Sequence, residues 1–339
     1  MPKSEAVRII KKSAEILLPF LLGTGIMYWM YRDTDWSQFT GTLLHMDWWW
    51  MLLSFVFGIS AQVFRGLRWR LALAPLGERP RVASCVESIY VSYAASLVIP
   101  RVGEVTRCGM LKRSDGVSFA KSLGTVVTER VVDSVVMLAV CGITFLAQLP
   151  VLRVFLNATG TTIDGVVYRF TTMGYVVTAI CVVAIAILAS CLLMRFSVFA
   201  GVRDKLRGVY EGIASVTKLQ RRGLYAFYSV AIWASYFLHF YIAFFCFPFT
   251  AELSPLAALC IFCIGTFAVL VPTPNGAGPW HFAVKTMLVM YGVAAHSAIL
   301  FALVVHTLHT GLVILLGLYG WVGLSMRPKI NVNNQSTDK

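Results

Sequence analysis

Long apolar stretches alternate with short polar ones along this chain, and runs such as Val176 to Met194, Leu224 to Phe247 and Thr310 to Met326 reach or approach the roughly 20 residues that cross a bilayer as a helix. Two stretches break the pattern where an uninterrupted membrane helix is expected: Ile99-Pro100-Arg101-Val102-Gly103-Glu104, and Val271-Pro272-Thr273-Pro274-Asn275-Gly276-Ala277-Gly278-Pro279. Each follows a strongly apolar run and precedes another. Irregular backbone cannot face lipid, because unpaired N–H and C=O groups there each cost several kcal/mol, so both stretches are expected to line an enclosed or watered cavity.

Composition places the chain firmly among polytopic helical membrane proteins. Of 339 residues 58% are hydrophobic and only 13% charged, which leaves too little polar surface for a soluble domain. The net charge of +13 resides in short loops between apolar runs, so it reads as the positive-inside signal and not as a nucleic-acid surface. The eight cysteines fall mostly inside apolar segments, and Cys260-x-x-Cys263 has no companion pair or nearby histidine, so helix packing is its expected role. Lys3, Arg8, Lys11 and Lys12 before an apolar run resemble a signal peptide. No small-residue cleavage motif follows before Arg32, so a retained first span is expected.

Loop charge then sets the topology. With the basic N-terminus inside, the first span runs roughly from Ile16 to Tyr31, and Asp33, Asp35 and Asp47 mark an outer loop. Trp48, Trp49 and Trp50 form an interfacial belt at the start of the second span, which ends inside at Arg65, Arg68, Arg70, Arg79 and Arg81. The segment from Val82 to Ile99 is flanked by basic residues on both sides, so a re-entrant hairpin fits better than a crossing. Its Ser84, Ser88, Ser92 and Ser96 form a hydroxyl stripe on one helical face, which serves either a substrate path or helix packing.

The third span is expected at about Ser122 to Leu149 and the fourth at Thr172 to Met194, before a basic loop from Arg203 to Arg222 and a fifth span from Leu224 to Phe247. Parity makes Pro255 to Tyr291 a second re-entrant hairpin, entering from outside, before the last span ends inside at Arg327 and Lys329. The expected fold is an all-α polytopic membrane protein of about six full spans plus two re-entrant helical hairpins. Each half has an odd number of crossings, so the halves form an inverted repeat with binding near the midplane. One domain covers 1–330, with halves at 1–150 and 170–326, and 331–339 is a polar tail expected to be disordered.

Candidate chemistry concentrates at the two interruptions. Arg101, Glu104 and Arg107 belong to the first hairpin, while Glu129 and Asp133 lie four apart on one face of the third span beside Arg130. Intramembrane charges pair or mark a pathway, so Arg101 or Arg107 is expected against Glu129 or Asp133. The pairing acts as a structural clamp, as a guanidinium seat for a lipid phosphate, or as both. In the second hairpin Pro272 and Pro274 break the helix, and Gly276 and Gly278 permit close approach. A helix restarting near Trp280 would present its N-terminal N–H groups to a phosphate, with Asn275, His281 and Lys285 nearby. His296, His306 and His309 offer either a proton relay or packing hydrogen bonds. No nucleophile motif, phosphate loop or dinucleotide fingerprint occurs, so neither intrinsic catalysis nor a cofactor or metal is expected.

Several of these residues also carry a resemblance. Arg65-Gly66-Leu67-Arg68-Trp69-Arg70, Pro100-Arg101-Val102-Gly103-Glu104-Val105-Thr106-Arg107, Ser118 to Lys121 with Thr128-Glu129-Arg130-Val131-Val132-Asp133, and Pro272-Thr273-Pro274-Asn275-Gly276-Ala277-Gly278 occur in order. Together they resemble the flippase-like transmembrane domain of bacterial lysylphosphatidylglycerol synthases and their stand-alone relatives. This chain departs from the family pattern at Asn275, where a glycine is common, and at His281, where a glutamate is common. The resemblance implies movement of a phosphate-bearing lipid, an aminoacylated phospholipid or a polyprenyl-linked intermediate, between leaflets of the bacterial cytoplasmic membrane. It does not imply aminoacyl transfer, which in the two-domain synthases belongs to a separate soluble domain.

Three functions follow as alternatives: a lipid flippase-like transporter, a membrane scaffold for a lipid-modifying synthase or glycosyltransferase, and an intramembrane transferase using Glu104 or Asp133 as base. The expected partners are a membrane phospholipid or lipid-linked phosphate and, for the scaffold, a membrane enzyme. Both termini are expected on the cytoplasmic side.

Overall fold

The computed structural model describes residues 21, 23–32, 36–100, 102–148, 210, 219–271 and 273–327. Arg101, Pro272, the expected fourth span, the basic loop from 203 to 218 apart from residue 210, and the tail lie outside them. All regular secondary structure among the described residues is helical. After a helical stretch at 23–31 come α1 (Trp36–His45), α2 (Trp48–Leu73), α3 (Val82–Val98), α4 (Val102–Asp115) and α5 (Phe119–Ala147). The second part contains α6 (Arg222–Ile242), α7 (Pro255–Ala268), α8 (Pro279–Met290) and α9 (Ala295–Met326).

Four of these helices, extended by short 3₁₀ turns in two cases, are long and apolar enough to cross a membrane: Trp48–Leu76, Phe119–Ala147, Arg222–Cys246 and Ala295–Met326. They match the expected second, third, fifth and last spans. Local signals set their ends. Asp47 caps α2 by accepting from the Trp49 N–H at 2.9 Å, and Ser254 with Pro255 at the first helical position opens α7.

Contacts along the helices fix their directions. Trp50 lies against Phe245, Ser54 against His239, and Arg68 against Ser229, so α2 and α6 are antiparallel. The arginine-rich end of the bundle holds the C-terminal ends of α2 and α9 and the starts of α3, α5 and α6. It is tied by Arg81 to Asp115, Lys121 to Glu78 and Arg327 to Glu87. The opposite end is aromatic, with Phe240, Phe244 and Phe247 packed around Phe301.

The pairs α3–α4 and α7–α8 are helical hairpins made of short elements. Their 17, 14, 14 and 12 residues give lengths of about 18 to 26 Å, less than the roughly 30 Å of a bilayer's hydrocarbon core. The first starts and ends at the arginine-rich end, where Arg81 binds Asp115. The second starts and ends at the aromatic end, where Ala258 and Leu288 share one core. The two hairpins therefore reach into the bundle from opposite ends.

Small residues allow these approaches, as expected where lipid removes the hydrophobic drive between helices. A side chain on Gly103 would strike the Ser92 carbonyl and the Ser96 hydroxyl, so the end of the serine stripe nearest the tip packs against α4 within its own hairpin. Gly317, Gly320 and Gly323 seat α9 on Ala94, Tyr90 and Glu87 of α3, and Gly66 of α2 rests on Val86.

Candidate functional site

A charged centre is buried among α2, α4, α5 and α6. Arg65 and Arg68 are three apart on α2 and both reach Asp133 of α5, Arg65 Nη1 to Oδ2 and Arg68 Nη2 to Oδ1, each at 2.7 Å. Arg107 of α4 binds Glu129, Nη2 to Oε2, also at 2.7 Å. Arg68 Nε lies 3.9 Å from the other oxygen of Glu129, so Arg68 faces both carboxylates. All five side chains are buried.

Aromatic rings complete the walls. Arg107 sits 4.7 Å over the Trp69 ring, and Arg68 and Arg65 lie 5.7 and 5.9 Å from the rings of Tyr225 and Tyr236. Such cation–π contact compensates part of the lost hydration of a guanidinium. Trp69 is fixed by its indole N–H to the Thr125 hydroxyl at 2.9 Å, and Arg68 also donates to Ser229 at 3.1 Å. The Tyr236 hydroxyl meets that of Tyr93, which joins the charged centre to α3.

The charges do not cancel. Three guanidiniums face two carboxylates, and Nε of Arg65, Nε of Arg68, and Nε and Nη1 of Arg107 have no hydrogen-bond acceptor. Buried ions are tolerated when paired and hydrogen-bonded, so this surplus of positive charge and free donors is complementary to an anion.

Both hairpin tips lie beyond this centre. Pro100 stops α3 at Val98, and Arg107 follows five residues after Val102, about 7 to 8 Å along α4. In the second tip Asn275, Gly276 and Gly278 have φ of 53, 70 and 90°, values that favour glycine and are tolerated by asparagine. A Cβ on Gly278 would lie 2.9 Å from Ile26, so the helical stretch at 23–31 closes over this turn. The turn at Pro274–Gly276 packs against α3, and Asn275 donates to Thr310 of α9 at 2.8 Å. The His306 Nε2–H donates to the Asn275 carbonyl at 3.2 Å. The two hairpins thus meet beside the middle of α9.

A second polar centre, built of imidazoles, surrounds that meeting point. His281 is fully buried on the first turn of α8, where its Nδ1 accepts the Gly278 N–H at 3.3 Å and its ring lies 4.3 Å from that of His306. The Tyr31 ring stands edge-on to it at 5.7 Å. Nearly one turn further along α9, His239 Nδ1 is 2.8 Å from the Ser54 carbonyl and its Nε2 is 3.0 Å from His309 Nδ1. A carbonyl can only accept, so His239 carries its proton on Nδ1 and accepts from the His309 N–H.

The sequence-predicted residues are therefore distributed as follows. Arg107, Glu129 and Asp133 lie in the charged centre, and Glu104 binds Arg130 at 2.6 Å in a half-exposed pair beside it. Pro274, Asn275, Gly276, Gly278 and His281 form the second tip and the imidazole centre. Sequence reasoning missed Arg65 and Arg68, which were read as loop charge. Leu67 and Leu71 to Leu73 continue the apolar run past both arginines, and that continuation is the signal that they lie inside the helix. Among the described residues, no group of three or more His, Cys, Asp or Glu side chains is arranged to hold a metal ion, and Cys260 and Cys263 are buried free thiols.

A sequence profile of the family described as "Lysylphosphatidylglycerol synthase TM region" matches residues 16–317. No curated protein matches the chain.

Proposed function

The chain belongs to the lysylphosphatidylglycerol synthase transmembrane-region family, and on that premise we propose that it moves a phosphate-bearing lipid between the leaflets of a bacterial cytoplasmic membrane. In this reading the long helices span the bilayer together with the expected first and fourth spans, and the two hairpins are re-entrant, one from each face. The arginine-rich end is cytoplasmic by the positive-inside rule.

The observation that carries the reading is the buried charged centre with one guanidinium in excess, set below the place where the hairpins meet. A lipid phosphate supplies the missing anion. Planar guanidinium donors suit it, and Arg107, which has two unpartnered nitrogens, is its principal contact. Glu129 and Asp133 keep the arginines in place when the seat is empty. The second tip supplies the wall facing the substrate: its left-handed turn places backbone and Asn275 against α9 without any charge.

Leaflet transfer in proteoliposomes tests this, with a fluorescent phosphatidylglycerol scored by access of a membrane-impermeant quencher. Arg107→Gln combined with Glu129→Gln removes one charge of each sign, so the net buried charge is unchanged and the fold is expected to persist. Transfer should fall to the protein-free rate in this double variant. Normal transfer by a correctly folded double variant would overturn the reading.

A further inference from the structure

At the arginine-rich end a cleft of about 410 Å³ opens between the C-terminal end of α2, the turn that follows it, and the start of α6. Arg70, Arg79 and Arg221 stand around it, all three exposed. Three other cations at this end are matched by carboxylates: Arg81 by Asp115, Lys121 by Glu78 and Arg327 by Glu87. The cleft arginines are not. Arg70 donates only to the Pro80 carbonyl, and Arg79 and Arg221 have no partner among the described residues. The single acidic side chain in the lining, Glu78, is already engaged by Lys121 at 3.3 Å.

The floor of the cleft is apolar and thin. Leu71 and Leu219 pack with Ala72 and Tyr225, and the far side of the Tyr225 ring region carries Arg68 at 5.7 Å. Leu71 and Leu219, with Tyr225 behind them, therefore separate the cleft from the buried charged centre. A concave site with three uncompensated guanidiniums above aliphatic side chains matches a phosphate group joined to a hydrocarbon portion.

We propose that this cleft is a separate binding site for a phosphate-bearing headgroup, the station from which the buried centre is loaded. The proposal rests on the transport reading for its role, but binding itself can be measured without transport.

The test uses the full chain stripped of lipid in a neutral detergent, with retention of phosphatidylglycerol and phosphatidylcholine followed by native mass spectrometry. Phosphatidylglycerol should be retained in preference. Arg79→Gln with Arg221→Gln, both on exposed side chains outside the buried centre, should weaken that retention about tenfold or more, the loss of two charge-assisted contacts. Arg113→Gln, at the same end but outside the cleft, should leave it unchanged. Glu78→Gln should strengthen it, since it removes the acid and releases Lys121 toward the opening. That gain is a result that misfolding cannot produce.

Glycerol 3-phosphate provides the soluble arm. Failure to displace phosphatidylglycerol at millimolar concentration would support a lipid source, and full displacement would support a phosphate site filled from water. Equal weakening by Arg113→Gln and by the cleft pair, or no effect of the pair, would overturn the proposal and leave the transport reading standing. Conversely, the cleft variant should raise the lipid concentration needed for half-maximal transfer without changing the maximal rate.

Discussion

Two polar centres are buried in this bundle, one at the level of Arg68 and Asp133, the other at His306 and His309, and they compensate for lost hydration by different means. The first uses full charges, with three guanidiniums on two carboxylates and aromatic rings as additional walls. The second uses uncharged hydrogen bonds, in which imidazoles bond to one another and to the Ser54 and Asn275 carbonyls and the Asn275 amide bonds to Thr310. A charged centre is held rigidly, because any partner removed leaves an ion without compensation, and here one guanidinium is already in excess. A neutral centre tolerates loss of one member at the level of a single hydrogen bond. The difference separates a centre that carries net charge from the one at which the two hairpins are joined.

The sharpest way to break this comparison is to remove one acid. Glu129→Gln alone should destabilise the protein by about 3–5 kcal/mol, since Arg107 and Arg68 lose their shared counter-ion in a buried setting. Adding Arg107→Gln should restore more than half of that loss. A double-mutant cycle by thermal unfolding in detergent measures both, and a loss below about 1 kcal/mol for the single variant would contradict a charge-built centre.

Next in size is the backbone beneath the imidazoles. Gly278→Ala places a side chain at φ of 90° and against Ile26, so a cost of about 1–3 kcal/mol is expected in the same assay. Gly109→Ala, at a site with open space around it, should cost less than Gly278→Ala and serves as the control.

These two predictions also mark how far the sequence could be read. The helix break at Pro100, the interruption around Pro274 and the pairing of Arg107 with Glu129 were legible, because proline cannot sit in a helix interior without breaking it and a buried charge needs an opposite one. The serine stripe left two roles open, and the packing found at its Ser92–Ser96 end depends on the crossing of α4 over α3 at Gly103, which no single-helix pattern contains. Arg65 and Arg68 were hidden for a related reason. A basic cluster at the end of an apolar run has the composition of an inner loop, and only Asp133, 68 residues from Arg65, reveals that both turn inward. His239 and Ser54, 185 residues apart, carried no local signal at all.

A smaller effect sharpens the neutral side of the comparison. His309→Leu removes the donor to His239, and a loss of about 1 kcal/mol is expected, the scale of one neutral hydrogen bond. A cost equal to that of Glu129→Gln would mean that the imidazole centre also depends on charge.

The smallest effect concerns Asp115, where the same kind of ion pair stands outside the spans. Burial alone would raise its carboxyl, but the Arg81 guanidinium and backbone N–H and the Ser84 hydroxyl outweigh that and hold it below the usual aspartate range. Its folded value is lower than its unfolded one. Its contribution is therefore complete above about pH 4 and disappears as the pH falls through the folded value. Unfolding midpoints compared at pH 6 and pH 3 should show a smaller acid-induced fall for Asp115→Asn than for the native chain, and equal falls would contradict the assignment.

Helix α9 links the two hairpins mechanically. The tip of the second hairpin is fastened to it at His306 and Thr310, and α3 rides on its glycines from Gly317 to Gly323. It stands like a camshaft with two followers: an axial slide or rotation of this one rod would displace both hairpins together, so the two are mechanically linked through it.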